Sequence, residues 1–340
     1  MNRNMNEPSQ WRVNIEPALP ANEALIDEFV VQVEVAETTR LKYRPHLCEF
    51  ERWLRHIHGS DMLLVAARTA DVARFMAYLK SGNRFCSGWA FRDPIVPKPA
   101  TRKNILASLA SFYGYLVSIE LVSADPTVRV EKPKVKHTPG LRLSAEQVRA
   151  LLDARGNPRC DIQTYLLTFT GARSRELRLL QWSNVDFEKR TMMLHGKGDK
   201  HRVIDIHPRL IGELRRWYLY QEEQAKRYLK MMEAKYNPDR DFVLLTRNGL
   251  PVSHATICKQ LKRRAARAGL FMQSTNDLEN VSAITPHALR RTFGTILLND
   301  GHHLDAVADV LGHASLDTTR KHYAFSSTER RRATIHGFKV

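Results

Sequence analysis

Four short stretches carry side chains whose types and spacing could do chemistry. In TGARSRELRLLQW, Arg173 is followed three residues later by Glu176. That spacing brings a carboxylate within reach of a guanidinium and could fix its planar fork for bidentate work on a phosphate. A plain surface ion pair would carry the same letters. In GKGDK, Lys197 stands between two glycines, so a pliant tip could swing a proton donor into a site, although an ordinary solvated turn would look alike. In TPHALRRTFGT, His287 and Arg290 lie three apart on a helix beginning near Pro286, with Leu289 and Phe293 marking its buried side; a capped helix with a basic surface would read the same. In LGHASLDTTRKHYAF, His313 follows Gly312 and Tyr323 stands ten residues further on. Taken singly, a tyrosine there is more often a core or rim residue.

These stretches need elements to hold them. Upstream of the first, SAEQVRALLDA opens with a capping box, Ser144 and Gln147, which marks the first helix of a domain. Helical patterns continue through DIQTYLLTFT and SRELRLLQW, and then the period changes. TMMLHGKGDKHRVIDI reads as two short strands around a Gly-rich turn, a hairpin tip carrying Lys197 and Lys200. Helices resume at about 209–234, at HATICKQLKRRAARAG and at PHALRRTFGTILLND.

The domain expected at the N-terminal end reads as all-helical. In TTRLKYRPHLCEFERWLRHIHG, Leu47, Phe50, Trp53 and Leu54 recur at three and four, with Pro45 expected near the helix start and Gly59 at its end. TADVARFMAYLKS and TRKNILASLASFYGYLVS repeat the pattern. The expected organisation is an arm over 1–22, a helical domain over 23–125 with a loop insertion near 82–100, a basic linker over 126–142, a second domain over 143–325, and a tail or exchange helix over 326–340.

The chain has 340 residues, 43% of them hydrophobic, enough for two domains with real cores. Lys and Arg number 53 against 36 Asp and Glu, a formal charge of +17 that points to a polyanionic partner, nucleic acid first. Cys48, Cys86, Cys160 and Cys258 lie far apart with no C-x-x-C pair, so no structural metal site is expected and reduced thiols in a cytoplasmic compartment fit better. There is no signal-peptide pattern and no apolar run long enough for a membrane span.

Taken together, the four stretches follow one order: Arg, Lys, His-x-x-Arg, Gly-His, Tyr. In this the chain resembles the tyrosine recombinase (phage integrase) family, on TGARSREL, GKG, HALRRTF, LGH and the late tyrosine. The likeness extends to the N-terminal TTRLKY and LASLASFYGYL stretches and to the DP…VEKPK linker, covering about residues 25–325. It implies a mainly α fold with a small β-sheet in the C-terminal domain. The whole would be a two-domain DNA clamp, a helical SAM-like core-binding domain joined to a tyrosine recombinase catalytic domain.

The resemblance also implies a chemistry. Tyr323 would attack a scissile DNA phosphate, leaving a 3′-phosphotyrosyl enzyme and a free 5′-hydroxyl, with no cofactor and no metal. Arg173 and Arg290 would grip the non-bridging oxygens with help from His313. Lys197 would protonate the leaving oxygen, with Lys200 in reserve, and His287 would help move the tyrosine proton. Glu176 is assigned to orienting Arg173. Many family members place the tyrosine nine residues after the Gly-His histidine, where this chain has His322, so the connecting loop is expected to absorb one extra residue.

Further DNA contacts are expected from Arg40, Tyr43, Arg102 and Lys103 in the first domain, and from Lys134 and Lys136 in the linker. In KQLKRRAARAG, Lys259, Lys262, Arg263, Arg264 and Arg267 lie on a helix that could run along DNA, or form an ordinary solvated face. The implied partners are double-stranded DNA with a specific recombination site and further copies of the chain, or a related recombinase, in a tetramer on synapsed DNA. The implied location is the bacterial cytoplasm, at the nucleoid. Integration of a mobile genetic element is the expected task, with Xer-like resolution of chromosome or plasmid dimers as the alternative. A type IB topoisomerase would share much of the residue set, whereas a catalytically silent DNA-binding regulator would have no need of all six candidate residues.

Overall fold

Apolar stripes at helical spacing dictate most of the architecture. A computed structural model describes residues 21–81, 96–135, 140–196, 201–231, 241–246, 250–271 and 284–312. The chain divides into two compact units, Met1–His137 and Thr138–Val340. None of the described helices is long and apolar enough to cross a membrane.

The first unit contains α1 (Asn22–Gln32), α2 (Glu37–His58), α3 (Thr69–Ser81) and α4 (Pro99–Ser118). Phe29, Phe50, Phe75, Phe112 and Tyr113 are all buried at its centre. Phe29 meets Phe112 edge-on at 5.4 Å between ring centroids. Asn22 pins α1 to the turn after α2, accepting from the Leu64 amide at 2.7 Å and donating to the Met62 carbonyl at 3.0 Å.

Pro45 departs from expectation, because α2 begins at Glu37 and runs straight through it. The proline has no N–H to give the carbonyl of Leu41, a loss that usually costs about 3 kcal/mol inside a helix. Leu41 is 67% exposed, so water can serve its carbonyl. The flanking residues meanwhile hold the helix in place. Tyr43 packs its ring on Phe29 at 5.3 Å, Leu47 is fully buried, and the Arg44 guanidinium bonds Asp27 and Glu23 of α1.

The second unit opens with α5 (Ala145–Asp153), whose capping box forms as the sequence predicts: Ser144 Oγ accepts from the Gln147 amide at 3.2 Å and Gln147 Oε1 from the Ser144 amide at 2.8 Å. There follow α6 (Pro158–Thr170), α7 (Ser174–Arg178), β1 (Val185–Asp186), β2 (Thr191–His195), β3 (His201–Asp205), α8 (Pro208–Met231), α9 (His254–Arg267), α10 (Pro286–Asn299) and α11 (Leu304–Leu311). The strands form an antiparallel sheet in the order β1, β2, β3. The hairpin of β2 and β3 matches expectation. With only two residues, β1 has no alternation for sequence reading to detect. The register sets Leu194 opposite Arg202 and Met192 opposite Ile204. Met192, Leu194 and Ile204 are buried, so this is the core face of the sheet, and Arg202 lies on it.

One expectation is corrected here. Arg264 of α9 is not on a DNA-facing surface but fully buried, in the stripe Ile257, Leu261, Arg264, Ala265. Its Nε and Nη2 donate to the carbonyls of Leu151 and Leu152, both at 2.6 Å, and Nη1 pairs with Asp161. The last turn of α5 leaves carbonyls without helical partners, and Arg264 supplies the missing donors.

Candidate active site

The site begins where α6 ends. Gly171 closes that helix in the left-handed region at φ 57°. Its conformation turns the chain sharply, so that Arg173 becomes the residue capping α7 and Glu176 the third residue of that helix. Glu176 Oε2 accepts from the Arg173 amide at 2.8 Å, and Oε1 from Arg173 Nη1 at 2.7 Å. The pairing expected from the i, i+3 spacing is therefore present, but it is no surface pair. The Glu176 side chain is 1% exposed and that of Arg173 42%.

A second guanidinium reaches the same carboxylate from β3. Arg202 Nη1 and Nη2 meet Glu176 Oε1 and Oε2, each at 3.0 Å, in a two-pronged bridge. Burial alone would push the Glu176 carboxyl upward, but the bonds and charge of Arg202, followed by those of Arg173, outweigh it and hold the group below the usual carboxylate range. Sequence reading missed Arg202. The signal was there: in HRVID, Arg202 and Ile204 share a face by strand alternation, and an arginine on an apolar face requires a buried anion.

The third arginine comes from α10, whose start is capped by Thr285 Oγ1 accepting from the Ala288 amide at 3.2 Å. Arg290 is 2% exposed; its Nη1 donates to the Gly171 carbonyl at 2.7 Å and its Nη2 to that of Leu311. His287, one turn earlier on α10, is exposed.

All three arginines then meet at the end of α11. Arg202 Nε donates to the Val310 carbonyl at 2.8 Å, Arg290 to that of Leu311, and Arg173 Nη2 to that of Gly312 at 3.2 Å. Three successive carbonyls, the ones a helix leaves unpaired at its C-terminus, thus take donors from three different elements. Gly312 ends α11 at φ 65°, and a β-carbon there would lie 2.9 Å from Arg202 Nη1. Beside the cluster lies a cavity of about 500 Å³ lined by Phe169, Arg202, Ile204, Phe293, Val310 and Gly312, among others.

Of the expected catalytic residues, the structure brings Arg173, Glu176 and Arg290 together. Lys197, Lys200, His313 and Tyr323 lie outside the described residues, as does Lys136 of the expected linker. Among the described residues, three guanidiniums share one buried carboxylate, Glu176, with Asp205 and Asp309 exposed at the cavity beside them, so the buried part of the cluster has the positive balance a phosphate requires. Among the described residues, no group of three or more His, Cys, Asp or Glu could hold a metal ion.

The expected DNA-contact residues differ in exposure. Lys103, Lys134, Lys259 and Arg263 are exposed, while Arg40, Arg102 and Lys262 are half-buried. Tyr43 turns its ring onto Phe29, towards the core of the first unit.

Residues 141–330 match the model of the phage integrase family. The chain belongs to that family, the tyrosine recombinases, which break and rejoin DNA. It is 31% identical over 297 residues to the tyrosine recombinase XerC of Lactobacillus delbrueckii subsp. bulgaricus, covering 80% of this chain and 91% of the relative. It is 27% identical over 307 residues to XerD of Shewanella oneidensis, covering 88% and 90%. Among solved structures, the XerH recombinase in a post-cleavage complex with difH DNA aligns at a TM-score of 0.66 with 21% identity, covering 87% of this chain and 78% of that one. An integrase of the Tn1549 transposon bound to circular intermediate DNA aligns at 0.62 with 17% identity, covering 92% and 98%. At these identities the solved structures speak for the fold.

Proposed function

We propose that this tyrosine recombinase cuts and rejoins double-stranded DNA at a specific site through a 3′-phosphotyrosyl intermediate formed by Tyr323. The convergence of Arg173, Arg202 and Arg290 on carbonyls 310–312 carries this reading, because it builds a fixed positive cluster at the residues immediately preceding His313. The half-exposed Arg173 receives a non-bridging phosphate oxygen, and Arg290 supports the developing charge from behind, at the Gly171 and Leu311 carbonyls. His313 adds a hydrogen bond to the phosphate. Lys197 protonates the leaving 5′-oxygen, with Lys200 as the reserve, and His287 assists the tyrosine proton. Since the phosphodiester energy is conserved in the tyrosyl linkage, the reaction draws on no cofactor.

In this reading residues 23–125 bind the duplex and 143–325 carry the chemistry, with the basic 126–142 segment between them and 326–340 available for exchange between copies in a tetramer. The enzyme acts in the bacterial cytoplasm at the nucleoid. Integration of a mobile element is favoured by the N-terminal arm, the loop expected near 82–100 and the long stretch from Lys197 to His287, which read as additions to a compact resolving recombinase. Resolution of DNA dimers is favoured by the XerC and XerD relatives, matched over about nine-tenths of their own length.

Tyr323→Phe tests the chemistry. On a suicide duplex nicked near the crossover, the parent chain forms a covalent adduct, while the variant binds the DNA and traps none. A variant that still traps DNA sinks the assignment of the nucleophile. Scoring two-site plasmids for deletion and site-by-site capture for integration separates the two biological roles.

A further inference from the structure

Glu176 lies between two guanidiniums that hold it unequally. The Arg202 side chain is 13% exposed and turns all its contacts inward, with two bonds to Glu176 at 3.0 Å and one to the Val310 carbonyl at 2.8 Å. Arg173, 42% exposed, gives one nitrogen to Glu176, at 2.7 Å the shorter contact but a single-pronged one, and the other to the Gly312 carbonyl at 3.2 Å. One carboxylate can neutralise one guanidinium. The buried, two-pronged partner in the drier surroundings has the stronger claim on it. The positive charge left over resides on the arginine that faces solvent. Two more carboxylates, Asp205 and Asp309, line the cavity beside Arg202, but both are exposed and screened by water.

We propose that Arg202 is a positioning residue for strand cleavage: it shares the charge of Glu176, so that Arg173, though bonded to the same carboxylate, keeps net positive charge and free donors for the scissile phosphate. This rests on Arg173 being a phosphate ligand. Without Arg202, Glu176 has Arg173 as its remaining guanidinium partner in the cluster. The carboxylate, 1% exposed and already bonded to Arg173 Nη1 at 2.7 Å, then has Arg173 alone to balance its charge, and the two become a neutral pair. The guanidinium that should meet DNA becomes an internal counter-ion.

The test is a charge-suppression cycle on the full chain, read as single-turnover covalent trapping on a nicked duplex carrying the footprinted site. Arg202→Met is expected to slow trapping by roughly 10- to 100-fold, the usual scale for losing a supporting partner, with DNA affinity changed far less. Adding Glu176→Gln to Arg202→Met removes the carboxylate charge and is expected to restore several-fold of the loss. A packing role for Arg202 would leave the double variant no faster than the single one. Arg202→Lys, which keeps the charge and gives up the fork, should fall between parent and Arg202→Met, and it carries the same cycle should Arg202→Met fail to fold. A second readout uses a scissile methylphosphonate, which lacks one phosphate charge; the defects of Arg173→Ala and Arg202→Met should shrink together on it. If Arg173→Ala responds while Arg202→Met does not, or if Glu176→Gln restores nothing, the proposal is overturned and Arg173 stays a phosphate ligand. If Arg173→Ala itself shows no response, the phosphate-ligand reading falls, and the proposal with it.

Discussion

Arg290 donates to the carbonyl of Gly171, 119 residues earlier in the chain, at 2.7 Å. The left-handed conformation of Gly171 aims that carbonyl, and the same residue has no room for a side chain. A β-carbon there would lie 2.6 Å from Phe293 Cδ1 and 2.9 Å from Leu311 Cδ2. Gly171→Ala is therefore expected to lose about 1–3 kcal/mol to backbone strain and crowding. Urea unfolding measures the loss, and trapping of nicked DNA should fall with it because Arg290 is displaced. An unchanged unfolding midpoint would contradict the geometry.

Two kinds of basic residue share α9, and they should separate cleanly. Arg264→Met leaves Asp161 and two helix-end carbonyls without their buried donor and should cost about 3–5 kcal/mol. It is read as a lowered melting temperature.

Lys259→Ala and Arg263→Ala remove exposed charges and should leave the melting temperature alone. If these side chains meet DNA phosphates, each flattens the log–log salt dependence of binding by about 0.9. Titrations at several salt concentrations decide whether this helix face is an interface or a solvated surface.

Leu143, two residues before α5, donates its amide to Thr292 Oγ1 of α10 at 3.0 Å in a buried setting. Thr292→Val keeps the shape and removes the acceptor, so the orphaned amide should cost about 1–3 kcal/mol. Hydrogen exchange at the Leu143 amide should accelerate by more than at neighbouring core amides; uniform acceleration would point to general loosening instead.

Asp71, at the start of α3, accepts from the Arg68 amide and from His58 Nε2, both at 2.9 Å. Burial raises its pKa, but these bonds outweigh it and leave the carboxyl below its ordinary value. A depressed folded pKa contributes stability that is present above the unfolded value, near 3.9, and is lost as pH falls through the folded one. The parent should thus lose stability below about pH 4, while Asp71→Asn, weaker at neutral pH, should show a flatter acid limb in urea titrations across that window.

Local patterns in the chain foretold a good deal of this. The stripe Leu47, Phe50, Trp53 and Leu54, the Ser144–Gln147 capping box and the hairpin around GKGDK depend on residues a few positions apart, so their geometry follows from the periods of helix and strand. The pairing of Arg173 with Glu176 was legible for the same reason. Pro45 was misread because a local rule about proline was outweighed by the packing of the residues on either side of it.

What only the tertiary structure decided is which charges are inside. Arg263 and Arg264 are neighbours of the same type, yet one is exposed and the other fully buried against the end of α5. Arg202 reaches Glu176 across 26 residues, and Arg290 reaches Leu311 across 21. By itself the sequence determined the order of the motifs and the helices and hairpin that carry Arg173, Glu176 and Arg290, but not the part played by Arg202. Tertiary packing determined that three of those elements deliver an arginine to three consecutive carbonyls, because unpaired donors and acceptors taken out of water must find one another wherever the chain places them.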